Sequence, residues 1–169
     1  MVKSVYPNRK NKYNNKLVYA LIDKDGEIYP FPTKAMASLF IKQNPKLDFK
    51  MQKFDSTLEF ERFQFLKGLE KSGKIEDLQT QVDFELIPSQ EYNKEDIMPN
   101  GVVVYKKRKM RGTKYIADFT YKINDILVVE DTKSAITRKK PEYRIKKKLM
   151  LLMHRIVVKE VDKKWVNIL

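Results

Sequence analysis

The chain has 169 residues, a length that suits one domain, and 42% of them are apolar, enough to bury a real core. It has no cysteine, which excludes disulfides, thiolate-bound zinc and thiol catalysis, and no apolar run approaches the roughly 20 residues that a membrane-crossing helix needs. Lys and Arg number 35 against 22 Asp and Glu, for a net charge of +13. The excess is uneven: residues 51–100 hold 6 basic and 11 acidic residues, residues 101–150 hold 15 and 5. Such clustering points to a polyanionic partner, although a lysine-rich solvated surface gives the same count. The first ten residues lack the apolar stretch of a signal peptide, so a cytoplasmic location is expected.

Residues 1–16 are polar, basic and asparagine-rich and read as an arm. Leu17 to Phe31 reads as a hairpin turning at Asp23-Lys24-Asp25-Gly26, a sequence that lacks the later ligands of a calcium loop. A short helix follows from Thr33 and ends near Asn44-Pro45. The best helix spans Asp55 to Lys71, with Leu58, Phe65 and Leu69 on one stripe, supported by Phe63 and Leu66, and Gly73 as its stop. Gln81 to Ile87 alternates as a strand ended by Pro88, and residues 88–100 read as a polar loop. Val102 to Tyr105 begins another strand. The basic run Lys106-Lys107-Arg108-Lys109-Met110-Arg111 then leads, as a loop, into a strand centred on Asp118. Asn124-Asp125 makes a tight turn into the strand Ile126 to Lys133. Pro141 opens a basic helix with Ile145, Leu149 and Leu152 inward, and Ile156 to Val158 and Trp165-Val166 supply the last strands. The order predicts an α/β fold, a mixed sheet flanked by helices.

The chemistry concentrates in Asp118 and in Asp131-Thr132-Lys133. Side chains two apart on a strand share a face, so Asp131 and Lys133 project together while Glu130 points away. If the turn at Asn124-Asp125 pairs the two strands, Asp118 reaches the same patch. Two carboxylates there would hold Mg²⁺, a hard cation that takes oxygen ligands and substrate phosphate. The metal would polarise a phosphodiester and activate water, and Lys133 would position that water or steady developing charge. The alternative is an ordinary cross-strand ion pair between Asp118 and Lys133. Glu59 stands three residues after Ser56, as in a capping box, and is also a candidate metal ligand at the start of its helix.

Phe54-Asp55-Ser56-Thr57-Leu58-Glu59, the strand from Gln81, Ile116-Ala117-Asp118-Phe119 and Val129-Glu130-Asp131-Thr132-Lys133-Ser134 together resemble the PD-(D/E)xK nuclease superfamily. They are most similar to bacteriophage Holliday junction resolvases of the endonuclease I type and to related small phage nucleases. The resemblance covers about residues 54–160. It implies a restriction-endonuclease-like core over residues 51–169, preceded by an accessory arm, hairpin and helix over residues 1–50. It places the metal-linked glutamate on Glu59, the motif aspartate on Asp118 and the (D/E)xK pair on Asp131 and Lys133. Ala117 stands where the motif proline would be. Asp131 stands where the endonuclease I type has glutamate, which leaves Glu130 as the alternative ligand; strand parity with Lys133 favours Asp131. Gln81 also fits the pattern of the phage relatives, or is a polar strand-edge residue.

The resemblance implies a Mg²⁺-dependent endodeoxyribonuclease, with Mn²⁺ substituting, that acts on branched DNA in recombination. Cutting two strands of a junction suggests a homodimer. Arg138, Lys139, Lys140, Arg144, Lys146, Lys147 and Lys148 would grip phosphates, with Lys106, Lys107, Arg108, Lys109 and Arg111 as a second grip. Two rivals stand beside it: a nuclease of the same fold with a homing, restriction or transposition role, and a non-catalytic basic DNA-binding protein.

Overall fold

The computed structural model describes residues 16–164. The arm expected over residues 1–16, but for Lys16, and the strand expected at Trp165-Val166 lie outside them. The fold is mixed α/β, with three sheets and four helices among the described residues. Its described residues pack as two compact units, one comprising residues 16–76 with residues 161–164, the other Asp77–Glu160.

In the first unit, β1 (Val18–Ile22) and β2 (Ile28–Phe31) form the expected antiparallel hairpin. Asp23 shapes the turn: its Oδ1 accepts the N–H groups of Asp25 at 3.0 Å and Glu27 at 2.9 Å, and Gly26 takes the left-handed φ of +80°. Helix α1 (Lys34–Gln43) is capped by Thr33 and closes at Asn44. Strand β3 (Lys50–Phe54) was not anticipated. It pairs antiparallel with the free side of β1, so the sheet order is β2-β1-β3. Helix α2 (Thr57–Lys71) starts at the Ser56 cap. It stops at Gly73, whose φ of +69° lets the Lys74 N–H reach the Leu69 carbonyl at 2.9 Å. The face of α2 that is buried is Phe60, Phe63 and Leu66, with Arg62; of the expected inner residues Phe63 and Leu66 are buried, whereas Leu58, Phe65 and Leu69 are only half-buried. The unforeseen β3 explains the rotation, because its Phe54 ring packs on Phe60 and Phe63 with centroids 5.5 and 4.9 Å apart.

The second unit begins with β4 (Glu76–Ile87), then β5 (Gln90–Ile97), β6 (Val103–Met110), β7 (Thr113–Ile123) and β8 (Ile126–Thr132). Short α3 (Ala135–Arg138), α4 (Pro141–His154) and β9 (Lys159–Val161) complete it. One sheet has the order β4-β7-β8-β9. Its centre is the β7–β8 hairpin, with register from Ile123↔Ile126 to Phe119↔Glu130. Asn124 and Asp125 both have positive φ, +48° and +63°, the backbone of a two-residue type I′ turn. Leu86, Tyr115, Ala117, Val129, Tyr143, Met150 and Val158 form the core over this sheet.

Helix α4 turns a different face inward from the one expected. Tyr143 and Met150 are buried, whereas Ile145 and Leu152 are exposed and Leu149 packs only partly. Between the buried pair, Lys147 lays its stem inward and carries its ammonium to Glu160 at 2.7 Å. A turn further on, His154 bonds the Glu85 carbonyl at 2.7 Å, a structural tie between α4 and β4. The inner stripe thus contains a lysine and a histidine, which apolar periodicity does not count. Ile156 to Val158 is not a strand; Val158 enters the core as irregular chain before β9.

Residues 88–100, expected as a loop, contain β5, which pairs with β6 in a separate antiparallel ribbon. The basic run Lys106–Met110 is therefore strand, not loop. Both ribbon faces are polar, so the alternation that marks a half-buried strand is missing from β5. At the ribbon's base, Gly112 lies against the chain entering β5. A Cβ there would meet the Ile87 carbonyl oxygen at 2.7 Å and the Ser89 nitrogen at 3.0 Å. Gly112→Ala is expected to lower unfolding stability by about 1–3 kcal/mol, because backbone must move. Gly68→Ala, in open space within α2, is expected to raise it by about 1 kcal/mol. Urea unfolding of both variants checks the pair; equal effects would show that the base of the ribbon is slack.

Candidate active site

Asp118 and Asp131 come together on adjacent strands, as the hairpin predicts, and both are buried. Asp118 sits just beyond the regular register, and its carboxylate does ladder-like work. Oδ2 accepts the Thr132 backbone N–H at 2.8 Å and the Thr132 hydroxyl at 2.7 Å. On its other side, Oδ1 is 3.5 Å from the Gln81 amide nitrogen, at the long limit of a hydrogen bond. Gln81 aims that amide from a backbone with φ of +54°, an uncommon conformation for a residue with a Cβ. Asp131 accepts the Tyr115 hydroxyl on Oδ2 and the Lys133 ammonium on Oδ1. The same ammonium lies 3.4 Å from Asp118 Oδ2, so Lys133 bridges the two carboxylates.

Glu130, the alternative ligand, goes elsewhere. It is fully buried, accepts the Tyr121 hydroxyl at 2.5 Å and pairs with Lys159 at 3.2 Å. Neighbouring carboxylates on β8 thus have separate partners, as the twofold alternation of a strand requires. Glu59 belongs to the first unit, where it closes a capping box. Its Oε2 accepts the Asp55 N–H at 3.1 Å, its Oε1 the Ser56 hydroxyl at 3.3 Å, and its own N–H donates to Ser56 Oγ at 3.1 Å. No group of three or more His, Asp or Glu side chains that could hold a metal forms among the described residues.

Sequence reading missed Thr132 and the tyrosines as parts of the site. Thr132 lies inside the Asp-x-Lys motif, and a strand assignment sends its side chain away from Asp131; only the break in register after Phe119 turns it to Asp118. Tyr115 and Tyr143 are apolar enough to count simply as core. They are core, yet their hydroxyls face charge. Burial, then the Asp131 charge, pushes both tyrosines far above the usual phenol range, so they stay neutral. The Tyr143 hydroxyl is buried and has no hydrogen-bond partner among the described residues.

Two buried carboxylates facing one ammonium leave the site short of positive charge. Asp131 shows the consequence: burial first, and then the Asp118 carboxylate, push it up to about 7, against the opposing pull of Lys133. Oxygen-only donors, buried and only half compensated by one ammonium, fit a hard divalent cation that takes its remaining ligands from water and phosphate.

The ribbon grip is exposed, the second grip is exposed at Lys139, Arg144 and Lys148 and half-buried at Arg138, Lys140, Lys146 and Lys147, and neither is simply cationic. In the ribbon, Glu91 stands opposite Lys109, and Glu95 and Lys107 share that face. On the other face Asp96 pairs with Lys106 at 2.9 Å and Arg108 at 3.9 Å; Arg111 follows the strand and is exposed. At the second grip, Arg138 ends α3 and donates from Nε to the Lys133 carbonyl at 3.2 Å. Glu160 holds both Arg138, at 3.8 Å, and Lys147. Lys139 and Lys140 fill the α3–α4 junction, and Arg144 extends from α4 into solvent.

The raised Asp131 gives a signed pH prediction. In the unfolded chain it titrates in the ordinary aspartate range, near 3.8, and in the fold at about 7. Below the lower value both states are protonated and it costs nothing. As pH rises from there to about 7 only the unfolded state ionises, so the folded state loses stability over that window. Asp131→Asn lacks this titration. Its melting temperature relative to the unsubstituted protein should therefore rise between pH 4 and pH 8; an offset that does not change with pH would contradict the shift.

Among the described residues no helix is long and apolar enough to cross a membrane. Neither the curated proteins nor the solved structures contain a significant match to the chain. A family model described as "Protein of unknown function (DUF1064)" matches residues 42–168, a span that contains α2, the whole four-stranded sheet and every residue of the Asp118–Asp131–Lys133 cluster. On that match, over more than half of its length, the chain belongs to the DUF1064 family.

Proposed function

We propose that this protein is a divalent-metal-dependent endonuclease that hydrolyses DNA phosphodiesters, built on a restriction-endonuclease-like core of the PD-(D/E)xK kind. The observation that carries the reading is the buried Asp118–Asp131 pair bridged by Lys133 on the β7–β8 hairpin. An ion pair made for stability alone gains little from burying two carboxylates against one ammonium. The same arrangement is what phosphodiester chemistry needs, with carboxylates for a metal and a cation beside them.

Asp118 and Asp131 would hold Mg²⁺ or Mn²⁺, which when bound supplies Lewis-acid polarisation of the phosphate and a lower pKa for the attacking water. Glu59 is committed to its cap, and we assign the metal to the two aspartates without it. Thr132 and Tyr115 fix the carboxylates through their hydroxyls, and Gln81 steadies the outer oxygen of Asp118. Lys133 stays protonated between two acids. With a metal on those acids, the Lys133 ammonium would be free to hold the attacking water or to offset charge developing on the phosphate. Arg138, Arg144 and the α3–α4 lysines contact backbone phosphates, and the ribbon adds a weaker contact because three acids offset its five cations. A preference for branched DNA, and a homodimer to cut paired strands, rest on the resemblance to phage resolvases.

Incubation with plasmid and with a four-way junction, in Mg²⁺ or Mn²⁺, tests the reading. Cutting is expected, and Asp118→Asn is expected to abolish it while leaving DNA binding in EDTA unchanged. Lys133→Ala should slow cutting on the order of 10²–10³-fold. It should also tighten Mn²⁺ binding in calorimetry, because the competing ammonium is gone. DNA binding with no cutting under any metal would instead support a basic binding protein.

A further inference from the structure

Beside the Asp118–Asp131 cluster, α4 and the chain leading into β9 enclose an open pocket of about 380 Å³. That volume lies in the range of small-molecule sites. Arg144, Lys147 and Lys148 line one side and Glu160 holds Lys147 in place, while Leu151 and Val157 present apolar surface to the same space. Arg144 and Lys148 make no side-chain hydrogen bond or ion pair among the described residues, so their charges are available to a ligand. Leu151 is 50% exposed and Val157 74% exposed. Arg138 belongs to both places: it lines the pocket and donates to the Lys133 carbonyl at 3.2 Å.

We infer that this pocket receives one unpaired nucleotide of the substrate, its phosphate on the cations and its base or sugar face on Leu151 and Val157. The identity of the polymer as DNA rests on the proposed nuclease function. A bare phosphate would explain the cations but not the apolar half of the lining. A paired nucleotide would explain its phosphate contacts but keeps both faces of its base in the stack. A phosphate and a free base face reach one pocket together when the nucleotide lies outside the stack, and a base face is the larger apolar surface to set on Leu151 and Val157. Arg138 ties the pocket to the Lys133 backbone carbonyl, which would set the unpaired nucleotide on the same side of the chain as the phosphate that is cut. Substrates would then be those with unpaired nucleotides at the cutting point: forks, flaps, gaps and opened junctions.

Fluorescence anisotropy in EDTA, with the full chain, tests this without any cutting. The probes are a labelled thymidine oligonucleotide and a duplex of equal length. The double variant Leu151→Asn with Val157→Asn keeps the charge and alters exposed positions, and circular dichroism checks its fold. It is expected to bind the single strand about tenfold more weakly, equivalent to about 1.4 kcal/mol, and the duplex as before. Arg144→Ala with Lys148→Ala should weaken both probes and flatten the salt dependence. Unchanged single-strand affinity in the asparagine variant, or an equal loss for both probes, would overturn the pocket. A protein that fails to cut DNA but shows the selective loss keeps the pocket and loses the nuclease; one that cuts but shows no selective loss does the reverse.

Discussion

Two carboxylates buried side by side with one ammonium between them are the constraint around which the second unit is arranged. Charge repulsion and desolvation both work against Asp118 and Asp131, and the fold answers with several groups at once. Lys133 spans them, the Thr132 N–H and hydroxyl go to Asp118, and the Tyr115 hydroxyl goes to Asp131. Each of these groups depends on a piece of backbone. The type I′ turn at Asn124-Asp125 fixes which residues of β7 and β8 meet, and α4 closes Tyr115 and Tyr143 over the inner side. Hydrogen bonds to ionised groups in a low dielectric are strong when complete and costly when incomplete. The cluster therefore acts as one unit, and its residual charge deficit is a property that function can use.

Much of this was legible in the sequence, for particular reasons. Asn-Asp between two apolar runs is a strong turn signal, and once the hairpin is granted, parity alone separates Asp131 from Glu130. Ser56 with Glu59, and Gly73 after Lys71, mark the ends of α2 through local hydrogen bonds that need no tertiary knowledge. What failed were the statements about which side of a helix faces in. In α2 the answer depended on Phe54 of a strand not foreseen, and in α4 on a lysine and a histidine that occupy the inner stripe through their stem and ring. Strand β5 was missed because a ribbon with two polar faces carries no apolar alternation.

Charge counting carried the basic character correctly but not its distribution. The run from Lys106 to Arg111 is the densest in the chain, yet pairing with β5 sets Glu91, Glu95 and Asp96 among its cations. Around α4 the balance differs. Glu160 engages Arg138 and Lys147, and Arg144 and Lys148 extend beyond it beside an apolar surface. The more consequential cationic surface is therefore the one next to Lys133, and it is mixed with side chains that prefer a base or a sugar to a phosphate.

The central claim is that Asp118 and Asp131 are metal ligands and not a structural ion pair. Anomalous diffraction from crystals soaked in Mn²⁺ tests it most directly. The account predicts a manganese peak within bonding distance of oxygens from both aspartates, with the Lys133 ammonium moved off at least one of them, and no such peak in Asp118→Asn. An unchanged Asp118–Lys133–Asp131 bridge under saturating Mn²⁺, or a peak elsewhere on the protein alone, would contradict it.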